Sequence, residues 1–196
     1  MPTWAELQAE VYTWTNRPTQ VAETTVALKS AIRTVHKSGK FWRDLAKTTT
    51  AALPLDAQQS VLVTDLHPRF RQMAYVKSAT QDVYYDPVTI DDQLDHNRLQ
   101  KQNIYYGMGN GVIIRAASPE SQYECAFYTY PDMAFVTSGG NSTDWIYSDF
   151  QELVCLWAAS TILATIGEQE IKSRVDQLAA IMFADLQQDN IEVVGR

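Results

Sequence analysis

The sequence lacks the long apolar runs and the clustered cysteines that several classes of protein require. Among its 196 residues no window approaches the roughly eighteen unbroken apolar residues of a membrane-spanning helix, which excludes such a span. The N-terminal residues, MPTWAELQAEVY, have neither a basic flank nor an apolar core, so we expect no signal peptide. Only two cysteines occur, Cys125 and Cys155, and they fit no zinc site. We interpret them as buried thiols rather than as a disulfide.

Catalytic signatures are also missing. The sequence contains no Gly-x-Ser-x-Gly, His-Glu-x-x-His, Walker or Cys-x-x-Cys motif. The glycines of residues 107–111 alternate with other residues and precede no helical pattern, which favours a hairpin turn over a dinucleotide cradle. His36, His67 and His96 do not stand at metal-ligand spacing from one another. We therefore expect a protein without enzymatic activity, cofactor or metal.

Acidic residues are plentiful without marking a site. Residues 82–96 are rich in Asp but lack the glycine and the terminal glutamate of an EF-hand loop, which favours a solvated segment over a calcium site. Glycoside chemistry needs two facing carboxylates, and no pattern marks two of the acidic residues as facing each other. The carboxylates available for such a pair are Asp91, Asp92, Asp95, Glu120 and Glu124.

Charge is distributed unevenly along the chain. Residues 1–80 carry ten Lys/Arg against six Asp/Glu, whereas residues 81–196 carry six against seventeen, so that balances of +4 and −11 make up the net charge of −7. A net acidic chain without a Lys/Arg cluster is poorly suited to grip nucleic acid by its phosphates. The asymmetry is consistent either with simple drift of composition or with opposite faces that suit head-to-tail association of identical copies.

Two helices are predicted at the N-terminus. Thr3 and Glu6 form a capping box for the first helix, which residues 16–18 (Asn-Arg-Pro) end. The second helix is predicted to be capped by Thr19 and to end at Gly39 as the residue after its last turn. Its apolar seam comprises Val21, Thr25, Leu28, Ile32 and Val35.

A β-rich region follows. Its β-branched and aromatic runs predict strands over residues 48–53, 60–64, 70–76, 104–106, 112–116, 122–130 and 134–136. Residues 83–85 are predicted to form either part of an exposed loop or a short strand. The dipeptide formed by Asn110 and Gly111 predicts a two-residue hairpin turn in which both residues have positive φ.

The last third is predicted to return to helix. Residues 145–166 are apolar around most of the helix circumference and end at Gly167, so this helix should be the most buried element. A fourth helix over 168–188 carries an apolar stripe, and residues 187–196 form a polar end with a small apolar knot. The stripe consists of Ile171, Val175, Leu178, Met182 and Leu186.

The predicted fold class is α+β. We expect an antiparallel bundle of two N-terminal and two C-terminal helices with an inserted β-rich domain. The bundle takes residues 1–40 and 144–190, the insertion takes 41–143, and a C-terminal arm takes 187–196.

Paired tyrosines are predicted to leave aromatic rings outside the sheet. Neighbouring residues of a strand face opposite sides, so Tyr84 with Tyr85 and Tyr105 with Tyr106 cannot all point inward. Exposed rings at this density favour a protein partner.

The layout resembles the head-to-tail adaptor, also called the connector or tail tubular protein A, of short-tailed bacteriophages. The similarity rests on the paired N-terminal helices, on residues 41–44 (Phe-Trp-Arg-Asp) and on residues 84–87 (Tyr-Tyr-Asp-Pro). It continues with residues 143–145 (Thr-Asp-Trp), which lead into the apolar helix over 150–167, and with a charged fourth helix.

The resemblance implies a structural virion protein of the neck and tail that passes through the host cytoplasm during assembly. It implies a homo-oligomeric ring of about twelve copies that binds the portal protein on one face and the tail nozzle or tube protein on the other. Double-stranded DNA would pass through the centre without specific binding, and no membrane would be involved.

Two candidate sites follow from the resemblance. An acidic loop would line the lumen or the tail-facing rim, and the C-terminal arm would order on the portal. The loop residues are Asp82, Asp86, Asp91, Asp92 and Asp95, and the arm residues are Ile191, Val193, Val194 and Arg196.

Two alternatives remain open. The second hypothesis is another component of the same neck, a stopper or terminator that completes the tail. A third hypothesis, from a different class, is a carbohydrate-binding tail protein that stacks sugars on tyrosines such as Tyr84 and Tyr106.

Overall fold

The computed structural model describes residues 3–89, 92, 101–133 and 145–194, with side chains described through Ile191. In these residues six α-helices and a curled seven-stranded sheet form a mixed α/β fold. The chain divides into two compact units. The first comprises Met1–Arg43 and Pro131–Arg196, and the second comprises Asp44–Tyr130.

The first unit is helical. Its helices are α1 (Trp4–Thr15), α2 (Val21–Ser38), α4 (Trp145–Asp149), α5 (Gln151–Ile166) and α6 (Gln169–Val194), and a 3-10 turn, Trp42–Asp44, ends its N-terminal segment. Helix α5 contacts α1, α2 and α6 and holds the centre of the apolar core. This confirms the prediction that the most uniformly apolar helix is the most buried one.

Helix α1 begins at the predicted capping box. The backbone N–H of Glu6 donates to Thr3 Oγ1 at 3.3 Å, and the N–H of Thr3 donates to Glu6 Oε2 at 2.7 Å. Asn16 adopts the left-handed conformation, with φ of 52°, and ends the helix as predicted.

Helix α2 differs from its prediction at its N-terminal end. It is preceded by Gln20 rather than Thr19 and has no side-chain cap, and Val21 is exposed instead of belonging to the seam. Gly39 follows the last helical residue, as predicted, and has extended backbone. A Cβ at Gly39 would lie 2.9 Å from Cζ of Phe41, so the close approach of that ring explains the glycine.

The C-terminal helices were predicted with the wrong boundaries. The single helix expected over 145–166 is interrupted at Phe150, which separates α4 from α5. Gly167 ends α5 in the left-handed conformation, with φ of 82°, as predicted. Helix α6 continues through Val194, so residues 187–194 extend a helix and do not form a separate arm.

The second unit contains the sheet. Its strands are β1 (Leu45–Thr49), β2 (Gln59–Leu62), β3 (Phe70–Ser78), β4 (Tyr84–Pro87), β5 (Ile104–Met108), β6 (Gly111–Arg115) and β7 (Tyr123–Thr129), with a short helix α3 (Val63–Leu66) after β2. The strand order is β1-β7-β3-β4-β5-β6-β2, and all neighbours are antiparallel except β4 and β5. The concave side encloses a second apolar cluster that includes Val76, Tyr105, Ile114 and Phe127.

Some strand predictions were shifted. Strand β1 starts at Leu45, ahead of the predicted residue 48, because β7 supplies pairing partners from Tyr128 to Glu124. Residues 63–64 are helical instead of extended. The strand predicted over 134–136 lies outside the described residues, and the sheet unit starts at Asp44 and ends at Tyr130 where the sequence suggested 41 and 143.

The β5–β6 hairpin is present, but its turn is displaced by one residue. Met108 pairs with Gly111, so Gly109 and Asn110 are the two turn residues. Only Gly109 has positive φ, 58°, which is the pattern of a type II′ turn with glycine at its first central position. The prediction that Asn110 and Gly111 both have positive φ is therefore wrong.

Candidate interaction surfaces

Of the four tyrosines proposed as exposed interface residues, one is exposed. Tyr84 is 57% exposed, whereas Tyr85, Tyr105 and Tyr106 are buried, so the prediction of exposure is wrong for these three. The alternation itself is correct, since Tyr105 belongs to the concave apolar cluster and Tyr106 lies beside Ile113 on the opposite side of β5. The error was to assume that one side of that strand faces solvent.

Tyr84 belongs to a patch on β1, β3, β4 and β7. Its ring meets the Tyr75 ring edge-on, with centroids 5.4 Å apart, and Lys77 Nζ lies 5.3 Å from its centroid. Lys47 Nζ lies 5.5 Å from the centroid of Tyr75, whose hydroxyl donates to Glu124 Oε1 at 2.8 Å. We call these five residues the tyrosine–lysine patch. Burial raises the pKa of Tyr75, so its hydroxyl keeps its proton and remains a donor.

The first residue of the acidic segment is paired with a base from outside the segment. Asp82 forms an ion pair with Lys77 of β3 at 2.7 Å. Asp86 is exposed on β4, and exposed Asp92 accepts a hydrogen bond from Thr89 Oγ1 at 2.6 Å. Asp91 and Asp95 lie outside the described residues.

The end of α6 is tied to the helical unit. Asn190 Oδ1 accepts a hydrogen bond from the N–H of Trp42 at 3.1 Å, and Asn190 Nδ2 donates to the carbonyl of Lys40 at 3.3 Å. Ile191, the next residue along the helix, is 62% exposed. The predicted arm is thus anchored through Asn190. The side chains of Val193 and Val194, together with Arg196, lie outside the described residues.

Two short blocks singled out in the sequence meet around Arg43. Its guanidinium carbon lies 5.2 Å from the ring centroid of Trp42 and 5.5 Å from that of Trp145. The same guanidinium forms an ion pair with Asp149 and lies 3.6 Å from Asp189. The blocks 41–44 and 143–145 are thus joined through Trp145, more than a hundred residues apart in sequence.

A groove that sequence reasoning missed lies between α2 and α5. It is open, has a volume of about 530 Å³, and is lined by five apolar and five polar residues, of which Glu23 is acidic. Val26 lies at its edge and is 68% exposed. The sequence feature that could have indicated this groove is Val26. It lies off the apolar seam of α2, at a position where the core does not require an apolar residue.

The described residues offer little for catalysis. They contain no group of three side chains arranged to hold a metal ion. Both cysteines are reduced and buried, and burial raises the pKa of Cys125 to about 12 and that of Cys155 further, so neither is a nucleophile at neutral pH. Within the part of the chain that is described, no helix is long and apolar enough to cross a membrane.

No protein-family model matches the chain, and a search of curated proteins finds no match either.

Proposed function

We propose that this chain is a head-to-tail adaptor of a short-tailed bacteriophage, a structural protein without enzymatic activity. The observation that carries the proposal is the meeting of residues 41–44 with Trp145 around Arg43, because these blocks carry the resemblance in sequence. Residues that only stabilise their own helix or turn need not contact residues a hundred positions away. A contact between the two blocks is expected, however, if both belong to the fold that the resemblance implies.

The proposed architecture is a bundle of two N-terminal and two C-terminal helices with the sheet unit as an insertion. The division into a discontinuous helical unit and a continuous sheet unit supports this arrangement. In the proposed assembly about twelve copies form a ring, with the portal protein on one face and the tail nozzle on the other. The acidic residues Asp82, Asp86 and Asp92 are exposed and suit a surface past which DNA slides without binding.

The proposed portal contact is the end of α6. Ile191 presents an exposed apolar side chain on a helix that Asn190 anchors, so the contact would be partly preorganised. A preorganised contact loses less conformational entropy on binding than a disordered arm does. The proposed lumen or tail-facing contact is the acidic edge beside Tyr84.

A stopper or terminator of the same neck is the second candidate, favoured by the same resemblance. The two are separated by partner and stoichiometry, since an adaptor loads directly onto the portal. Of the two tyrosines named for a carbohydrate-binding protein, Tyr106 is buried and cannot stack on a sugar, whereas Tyr84 is exposed.

The test is mass photometry of the protein alone and with the portal ring encoded by the same genome. We expect about a dozen copies to load onto each portal ring. Ile191→Asp should weaken loading at least about tenfold, whereas Leu55→Asp, at a comparably exposed apolar position in the sheet unit, should leave it unchanged. Absence of binding to the portal ring would refute the adaptor function. Equal loading by the Ile191→Asp and Leu55→Asp variants would refute the role of Ile191.

A further inference from the structure

The exposed side of α2 combines an apolar surface with a basic one. Val26 and Ala22 occupy its N-terminal half at the groove, and Lys29, Arg33 and Lys37 follow at helical spacing toward the C-terminus. The helix carries three Lys/Arg against one Glu, a balance of +2. Arg33 is exposed and makes no ion pair within the described residues.

The exposed side of α6 has the opposite character. Ile171, Leu178 and Ile181 are exposed there, and Ile181 is 61% exposed. Asp185 follows Ile181 by one helical turn and is also exposed. Glu170 of this helix pairs with Arg174, whereas Asp185 makes no ion pair within the described residues. The exposed side of α6 is therefore apolar with one acidic side chain beside Ile181, whereas that of α2 is apolar and basic.

We infer that the exposed side of α6 of one copy docks into the α2–α5 groove of the next copy. This inference rests on the proposed function, because it specifies the contact by which a ring of identical chains would form. The charges of the two surfaces are opposite, so the side of α6 fits the side of α2 better than either surface fits a second copy of itself. Such a contact is heterologous, and repeating it generates a closed ring when the rotation between copies closes.

The spacing along the two helices supports the charge match. At 1.5 Å per residue, Asp185 lies about 6 Å beyond Ile181 along α6. On α2, Lys29 and Arg33 lie about 4.5 Å and about 10.5 Å beyond Val26. When Ile181 sits beside Val26 and the helices run in the same direction, Asp185 falls between the two basic side chains. An opposite charge at that point lowers the free energy of association and sets the register.

A disulfide cross-link tests the contact directly. The double variant Val26→Cys/Ile181→Cys is oxidised at high protein concentration and, in a second sample, after loading onto the portal ring. Both native cysteines are buried and do not compete. We expect a ladder of covalent oligomers on a non-reducing gel, because each copy links to two neighbours. The control pair Leu55→Cys/Ile181→Cys, with one site in the sheet unit, should give no ladder.

A charge-reversal pair provides a second measurement. Arg33→Glu should weaken self-association at least about tenfold, and Arg33→Glu/Asp185→Arg should restore most of it. Lys101→Glu makes the same charge change on an exposed residue of the sheet unit and should have no effect. Restoration by the double variant cannot come from misfolding, since a second substitution does not repair an unfolded chain.

The outcomes separate this inference from the adaptor function. A protein that loads onto the portal but gives no ladder in either sample, with no response to Arg33→Glu, overturns the α2–α6 contact and leaves the adaptor function standing. A protein that neither forms a ladder nor loads onto the portal overturns both.

Discussion

The guanidinium of Arg43 lies against the ring of Trp145, with Cζ 5.5 Å from the ring centroid, and so joins the end of the N-terminal segment to the start of the C-terminal helices. Asp149 and Asp189 supply the opposite charges. One side chain thus connects the N-terminal segment with α4 and α6. Its aromatic and acidic neighbours give two independent ways to test its contribution.

Arg43→Ala should lower the free energy of unfolding by about 1–2 kcal/mol, because a cation–π contact and an ion pair are lost together. Urea unfolding followed by tryptophan fluorescence measures this. Arg17→Ala, at an exposed position between α1 and α2, serves as the control and should stay within about 0.5 kcal/mol of the parent. An Arg43→Ala protein as stable as the control would show that the cluster does not stabilise the unit.

Tyr123→Phe should destabilise the sheet unit by about 1–3 kcal/mol. The buried hydroxyl donates to Gln59 Oε1 and accepts the N–H of Glu120 at 3.1 Å, so its removal leaves a buried acceptor and a donor unpaired. Tyr128→Phe on the same strand removes a hydroxyl for which no hydrogen bond is found among the described residues, and should be nearly neutral. Thermal unfolding of both variants measures the difference, and equal melting temperatures would contradict the prediction.

Glu120 should make the stability of the sheet unit dependent on pH. Desolvation by itself raises the pKa of this carboxyl, but hydrogen bonds from Ser78, Thr80 and Ala79 outweigh it and hold the pKa below its ordinary value. The folded pKa is therefore lower than the unfolded one, which lies at about 4.3. The resulting stability is fully present above the unfolded pKa and is lost as the pH falls through the folded pKa.

Urea unfolding at a series of pH values from 7 to below 4 tests this dependence. Glu120→Gln should lower stability at pH 7 by about 1–2 kcal/mol and should flatten the acid limb of the profile. Glu23→Gln changes the same group at an exposed position on α2 and should leave the profile unchanged. Parallel acid limbs for the parent and Glu120→Gln would contradict the assignment.

Gly109→Ala should destabilise the β5–β6 hairpin by about 1 kcal/mol, because its φ of 58° is unfavourable for a residue with a Cβ. Gly107→Ala provides a matched control. A Cβ would meet nothing within 4 Å at either position, but only Gly109 has positive φ. Gly107→Ala should therefore be neutral or slightly stabilising, and an equal loss in both variants would show that space, not φ, is limiting.

Cys125 and Cys155 should not react with a thiol reagent in the native protein and should both react in denaturant. Burial removes access and raises the pKa of both thiols, so little thiolate is present at neutral pH. Titration with a chromogenic disulfide at pH 8 counts the reactive groups. One reactive thiol in the native state would contradict the burial of that cysteine.

The predictions from sequence were most accurate where the signal lies within a few residues. The capping box of Thr3 and Glu6, the end of α5 at Gly167 and the apolar circumference of α5 are all confirmed. Each depends on hydrogen bonds or on spacing inside a single helix, so the residues themselves contain the information.

The candidate sites were predicted less well because burial depends on distant partners. The period of the strand places Tyr105 and Tyr106 on opposite sides of β5, but it does not tell whether both sides are covered. Lys77 precedes Asp82 by five residues in sequence, and the two side chains pair only because the chain turns from β3 toward β4. The groove beside Val26 requires α5, more than a hundred residues away.

The sequence by itself determined the start of α1, the ends of α1, α2 and α5, the β-rich middle, the buried thiols and the hairpin between β5 and β6, since these follow from local backbone preferences and periodicity. Only the tertiary structure decided which tyrosine is exposed, how far α6 extends and where the hairpin turn falls. Those features depend on the register of strand pairing and on contacts such as that of Asn190 with Trp42. Such contacts form, and stabilise the protein, only when segments distant in sequence are brought together by folding.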